Sequence, residues 1–383
     1  MTGLEVPRWV MSADNHVDEP LDLWKDLPEH LAHLAPRVEI EGDLALLKVD
    51  DRTLTMFKIP AGFVPEGDLL SAVLSAQSFE GLSDARTPDA RLADLDKDGI
   101  WAEVMFPNRL IFTLFRIGKP ELQVALSRLY NDWLADTFLG DSERFIPVGT
   151  LPILDVEASV AEIERLAARG FRGVLLPAHT NTMAQAFNHP MYEPVWAAAA
   201  DQGLVVHFHA GTGREWRPAH NPGGAVINYA LTTGGPQETV AYLCGAGVLA
   251  RHPQLRVVMV ECGAGWLAWL LNTMDDGYTE HEMYVNPKLE LPPSEYFRRQ
   301  GAVTFQHDPV GFHNIRFTGD ACLMWGADYP HPEGTWPNSR SYLERQLVGV
   351  DPTAAANVLV HNAARLYRVA VPADTFAPVA APA

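Results

Sequence analysis

The chain has 383 residues, with 29 Lys and Arg against 48 Asp and Glu, a formal net charge of −19 with His neutral. So acidic a balance argues against sequence-independent binding to nucleic-acid phosphates and does not favour an anionic membrane surface, and neither partner is expected. With 47% hydrophobic and 20% charged residues it is an ordinary folded protein with material for a sizeable core.

The N-terminus carries no basic stretch followed by a long apolar run, and nowhere do eighteen apolar residues run uninterrupted. Cys244, Cys262 and Cys322 are odd in number and far apart, which rules out a disulfide framework and any paired-cysteine metal knuckle. A soluble cytoplasmic protein is expected.

Short apolar runs rich in β-branched residues recur at 9–12, 104–106, 146–149, 174–176, 205–209, 257–260, 303–305 and 323–326. Amphipathic patterns lie between them, such as Leu122, Leu126, Leu129 and Trp133, then Val156, Val160, Ile163 and Ala167. Such alternation means parallel strands joined by crossover helices, and eight strands predict a closed (β/α)8 TIM barrel, an α/β fold. A doubly wound sheet is the alternative, but the first strand runs into Asp14-Asn-His16, not a glycine-rich phosphate turn.

Residues 1–369 are read as one barrel domain, and residues 370–383, dominated by Ala and Pro, as a flexible tail. The interval 20–100 is too long for a loop and predicts an insertion, with a hairpin from the alternation at 44–49 and 54–57. A second insertion, 275–299, carries Tyr278, His281 and Tyr284. Both are expected on the C-terminal face of the barrel, where Tyr278, Tyr284 and Trp336 would roof an apolar or aromatic ligand or serve a homodimer interface.

Polar residues at strand ends mark that mouth. Asp14 and His16 are two apart at the end of the first strand and so face one side of the pleat; the alternative is an Asx turn with a surface histidine. His207 and His209 repeat this geometry in the fifth strand, with His209 nearer the mouth. Asp328 closes the last strand, with His331 three residues on. Asp14, His16, His209 and Asp328 offer two imidazoles and two carboxylates, a set suited to one divalent ion, Zn²⁺ first, with Mn²⁺ or Fe²⁺ as alternatives.

Glu261 ends the sixth strand, placed to act as acid or base or to pair with Arg214 or Arg316 at the rim. Asn108 and Arg109, just past the second strand, are candidates to orient an anionic or carbonyl group, or to form a rim salt bridge. His179, His207 and His331 complete the candidate substrate-binding set.

The runs at 12–20, 170–177, 203–211, 325–331 and 362–367 together resemble the amidohydrolase superfamily, in the amidohydrolase-related branch that holds aminocarboxymuconate semialdehyde decarboxylase, γ-resorcylate decarboxylase and several hydrolases. The resemblance implies one metal at the barrel mouth, held by Asp14, His16, His209 and Asp328, with Asp328 also moving protons. The fourth strand ends Leu176-Pro-Ala-His179 without the lysine that bridges two metals in other members, so a mononuclear site is implied. Related decarboxylases carry a histidine where this chain has Glu261, and a carboxylate there repels a substrate carboxylate. Hydrolysis of a small ester, lactone or amide by a metal-activated water is therefore the leading expectation, with Asp328 and Glu261 as proton carriers. Non-oxidative decarboxylation of an aromatic or unsaturated acid is the alternative, and a metal-free ligand-binding barrel a second.

Overall fold

A computed structural model describes residues 6–49, 52–59, 87–213 and 221–377. Eight parallel strands form one sheet, β1 (Val10–Val17), β5 (Ile100–Pro107), β6 (Phe145–Thr150), β7 (Gly173–Pro177), β8 (Val205–His209), β9 (Arg256–Val260), β10 (Gly301–Phe305) and β11 (Leu323–Trp325), in that spatial order. Helices connect them, and the barrel is the expected one. Its strands are almost wholly buried: every residue of β5, β7, β8 and β10 lies inside. Strands covered by side-chain core on one face and helices on the other need no polar alternation, which is why these segments read as continuous apolar runs.

Closure is made by backbone. Asp328 donates its N–H to the Asp14 carbonyl at 2.8 Å, and His16 donates to the Tyr329 carbonyl at 2.6 Å. A residue with a side chain at position 326 would drive its Cβ into that of Asp14, so only Gly326 permits this approach. The seam is also sewn by side chains: Ser12 Oγ accepts the Ala327 N–H at 2.8 Å, and Asn15 Oδ1 accepts that of Tyr329 at 3.0 Å.

Helix Val156–Arg169 shows how local signals set the outer ring. Asp155 accepts the Ala158 N–H at its start, and Gly170, at φ 95°, turns the chain out at its end. In helix Pro120–Phe138 the buried stripe runs through Leu122, Leu126, Tyr130 and Leu134, while Leu129 and Trp133 are only partly covered. Polar residues share that inward face, where Asn131 accepts the Thr150 N–H at 2.7 Å, so an apolar-only pattern reads the helix slightly rotated.

The first insertion contains an antiparallel sheet of three strands, β2 (Arg37–Glu41), β3 (Leu44–Val49) and β4 (Arg52–Lys58), one more than the expected hairpin. Residues 60–86 of that insertion lie outside the described residues. The second insertion is not at the mouth. Helix Leu267–Glu280 absorbs its first residues, and the remainder packs Pro287 and Leu289 beside Gly247, which leads through helix Val248–Arg251 into the start of β9. Tyr278 hydrogen-bonds Leu289 there and Tyr284 is exposed, so neither roofs the site. Trp336 is buried with its indole N–H on the Asp94 carbonyl at 3.0 Å, and is likewise no roof.

The tail, expected to be free, packs as far as residue 377: Thr375 is buried and its carbonyl accepts the Arg8 N–H at 2.8 Å. Residues 378–383 lie outside the described residues. No helix among the described residues is long and apolar enough to cross a membrane.

Candidate metal centre

Asp14 and His16 project inward from β1, while Asn15 between them faces the other way and donates to Glu103 Oε2 on β5 at 2.6 Å. Alternation along one strand thus supplies two candidate ligands and the strut that holds them. His209 ends β8, and Asp328 follows β11 with its backbone in the left-handed region at φ 58°. Side chains from three strand ends converge in two overlapping groups that share His16, one of Asp14, His16 and His209 and one of His16, Asp328 and His331. His16 Nε2 lies 3.7 Å from Asp14 Oδ1 and 3.3 Å from Asp328 Oδ1, and His209 Nε2 lies 3.5 Å from Asp14 Oδ1.

The tautomers follow from the partners. His16 Nδ1 faces the Pro107 carbonyl at 3.0 Å, and His209 Nδ1 faces that of Ala210 at 3.0 Å. A carbonyl only accepts, so each Nδ1 carries the proton and each Nε2 of the neutral ring turns a lone pair toward the carboxylates. Both oxygens of Asp14, both Nε2 atoms and Asp328 Oδ2 are buried without a hydrogen-bond partner in the protein. Acceptors crowded together with no donor among them are costly, and a cation between them relieves that cost. Ligand atoms about 2.1 Å from a common ion are separated by roughly 3.0–3.5 Å, close to the observed spacings. The residues present therefore fit a divalent metal.

Around this set stand further charges. His331 donates Nδ1–H to Asp328 Oδ1 at 2.8 Å, and its Nε2 meets Asn108 Oδ1 at 2.8 Å. The Asn108 amide nitrogen donates to Asp18 Oδ1 at 2.6 Å, which turns its oxygen toward His331, so both His331 nitrogens face acceptors. Burial pushes the His331 pKa down, but Asp328 and its hydrogen bond outweigh it and raise the group to about 9. Burial, and then the charge of His331 across a 4.1 Å ring contact, lower that of His16. Asp328 is held below the usual carboxylate range because His331 and His16 outweigh its burial. Glu261, at φ 55° after β9, is driven the other way by burial and by Asp328, Asp14 and Glu333.

Other sequence candidates are placed elsewhere. His207 sits within the barrel, Nδ1 on the Val174 carbonyl at 3.1 Å and Nε2 on the Tyr367 hydroxyl at 2.7 Å, and burial lowers its pKa to about 3. Both ring nitrogens are consumed there, so it is a neutral core residue and does not reach substrate. His179 accepts the Gly235 N–H at 3.1 Å and anchors helix Gly234–Gly245. Arg109 is tied to the Glu19 carbonyl at 2.6 Å and lies 3.7 Å from Asp18, the rim arrangement. Asn108 serves His331. Arg316 lies over the Phe317 ring and is not paired with Glu261, and Arg214 falls outside the described residues.

Some of the site was missed in the sequence. Glu103 interrupts the apolar β5 and pairs with the fully buried Arg91, whose Nη2 donates to Oε2 at 2.8 Å, and Arg91 stacks 4.9 Å from the Tyr329 ring. The available signal was a lone carboxylate inside a hydrophobic strand, which is seldom left unpaired.

The amidohydrolase family model matches residues 82–369. The chain belongs to the amidohydrolase family. This member is 24% identical over 255 residues to 2-amino-3-carboxymuconate-6-semialdehyde decarboxylase of Dictyostelium discoideum, covering 64% of this chain and 67% of that protein. It is 22% identical over 306 residues to γ-resorcylate decarboxylase of Rhizobium radiobacter, covering 73% and 87%. Among solved structures, an amidohydrolase of Mycobacterium avium subsp. paratuberculosis superposes with TM-score 0.72 at 22% identity, over 94% of this chain and 98% of that one. A dihydroxybenzoic acid decarboxylase of Polaromonas, solved with bound manganese, superposes with TM-score 0.65 at 17% identity, over 96% and 99%.

Family membership and these relatives make the chain an enzyme. They also overturn the expectation of hydrolysis, since the curated relatives are decarboxylases. The objection drawn from Glu261 overlooked His331, which supplies a positive charge beside Asp328. Zinc is not singled out, as the Polaromonas enzyme holds manganese.

Proposed function

We propose that this amidohydrolase is a metal-dependent decarboxylase of a small aromatic or conjugated carboxylic acid. The observation that carries the reading is the cluster of unpartnered donor atoms on Asp14, His16, His209 and Asp328, in a chain whose curated relatives are decarboxylases. A divalent cation, Mn²⁺ or Zn²⁺, supplies the positive charge that holds the anionic substrate and stabilises the electron pair left on carbon.

The residues supply the proton. The bond between carbon and carboxylate breaks, CO₂ departs, and the pair remaining on carbon takes a proton that the Asp328 carboxylate relays from His331. His331, hydrogen-bonded to Asp328 Oδ1 and charged near neutrality, is the source of that proton and regains it from solvent. Asn108 holds the His331 ring in the orientation for this transfer.

The test is a panel of hydroxy- and amino-substituted benzoates and unsaturated acids incubated with the Mn²⁺-loaded enzyme in D₂O. CO₂ release with one solvent deuteron on the product carbon is expected, and Asp328→Asn should lower kcat/KM by roughly 10²–10⁴-fold. Turnover that places solvent oxygen in the product without CO₂ release would refute the proposal.

A further inference from the structure

The backbone N–H of Glu261 donates to Thr304 Oγ1 at 2.8 Å, which fixes the turn after β9 and aims the side chain across the mouth. Glu261 Oε2 comes to 3.5 Å from His209 Nε2, the separation that Asp14 Oδ1 also keeps from that nitrogen. The imidazole proton is on Nδ1, directed at the Ala210 carbonyl. With Glu261 ionised, as a neighbouring cation requires, a nitrogen lone pair at Nε2 then faces a carboxylate oxygen with no hydrogen between them. That contact is neither a hydrogen bond nor an ion pair in the neutral ring, and it repels unless a cation lies between the two atoms. Glu261 also has a carboxylate oxygen within 4.8 Å of one on Asp328, so its reach spans two of the four ligands.

We propose that Glu261 is a fifth protein ligand of the metal held by Asp14, His16, His209 and Asp328. The inference rests on the metal site of the decarboxylase reading and adds to it. With Glu261 bound, three carboxylates surround a doubly charged ion, and a six-coordinate ion keeps one position for substrate or water. Such a shell favours Mn²⁺ or Fe²⁺ over Zn²⁺, which prefers four ligands. It also selects acids that bind through a single oxygen, or that displace Glu261 on entry.

The experiment uses the full chain stripped of metal and titrated with Mn²⁺ alone. Free Mn²⁺ is read by electron paramagnetic resonance, and water on the bound ion by solvent proton relaxation. Glu261→Gln should raise the Mn²⁺ Kd by about 10–100-fold and increase relaxation per bound ion, as water enters the vacated position. Glu333→Gln, which removes an exposed carboxylate lying within 4.8 Å of those of Glu261 and Asp328, should change neither. If Glu261→Gln does not melt cooperatively, Glu261→Asp, which withdraws the carboxylate and keeps its charge, carries the same expectation.

An unchanged Kd and relaxation for the Glu261 variants overturns the inference, as does equal weakening by Glu333→Gln, which would reduce the effect to net charge. Loss of Mn²⁺ in Asp14→Asn with none in Glu261→Gln removes this ligand alone. A parent chain that binds no Mn²⁺, Zn²⁺ or Fe²⁺ removes the metal-dependent decarboxylase reading together with it.

Discussion

Asp14 offers two buried carboxylate oxygens to a space ringed by Asp328 and Glu261, and no protein donor meets them. Its charge is useful with a cation present and a liability without one. In a chelator, Asp14→Asn should therefore be more stable than the parent, by on the order of 1 kcal/mol. Added Mn²⁺ should reverse the order, because only the parent gains binding free energy, about 2.7 kcal/mol at a concentration one hundred times Kd. Thermal unfolding of both proteins with and without chelator checks this. A variant less stable than the parent in chelator would mean that Asp14 has a structural partner instead.

Between β1, β5 and the turn after β11, the polar layer of Asn15, Glu103, Arg91 and Tyr329 holds the seam of the barrel. Glu103→Gln leaves the buried Arg91 guanidinium without its counter-charge and should cost about 3–5 kcal/mol, read as a lower urea midpoint. Asp98, which caps helix Pro88–Lys97 and accepts both the N–H and the hydroxyl of Ser339, has its pKa raised from 3.8 to about 6, chiefly by burial. The folded state thus binds a proton that the unfolded chain releases near pH 4, and stability falls as pH rises from about 4 to 6. Asp98→Asn should remove that fall, gaining on the parent by roughly 2–3 kcal/mol between pH 4 and 7. Chemical denaturation of the pair at both pH values measures it.

The strands were legible because burial on both faces leaves continuous apolar runs, and Asp14, His16, His209 and Asp328 because polar residues at strand ends stand out against them. The role of Asn108 was not, since it depends on which way an amide is turned by Asp18, far from it in the chain. Nor was the side of the barrel on which residues 275–299 emerge. That depends on where helix Leu267–Glu280 stops, and no strong terminator marks its end.

At the scale of the molecule, the charge of −19 opposes the approach of any anionic substrate. Close to the proposed metal site a bound cation and His331 would offset this, but beyond about 8 Å only salt screens it at physiological ionic strength. kcat/KM for an acid substrate should rise as salt is increased from low concentration, and kcat should not. Steady-state kinetics across ionic strength separates the two, and a falling kcat/KM would point to local attraction instead.

The four proposed ligands at positions 14, 16, 209 and 328 lie on the first strand, the fifth and the turn that follows the eighth. A chain leaving the ribosome exposes Asp14 and His16 early, and those two alone make a weak chelate. Only when the last strand is made and docked against the first does the full set exist. An ion held by this set would therefore be chosen by the finished barrel rather than during synthesis, from the free metal pool of the compartment where folding ends.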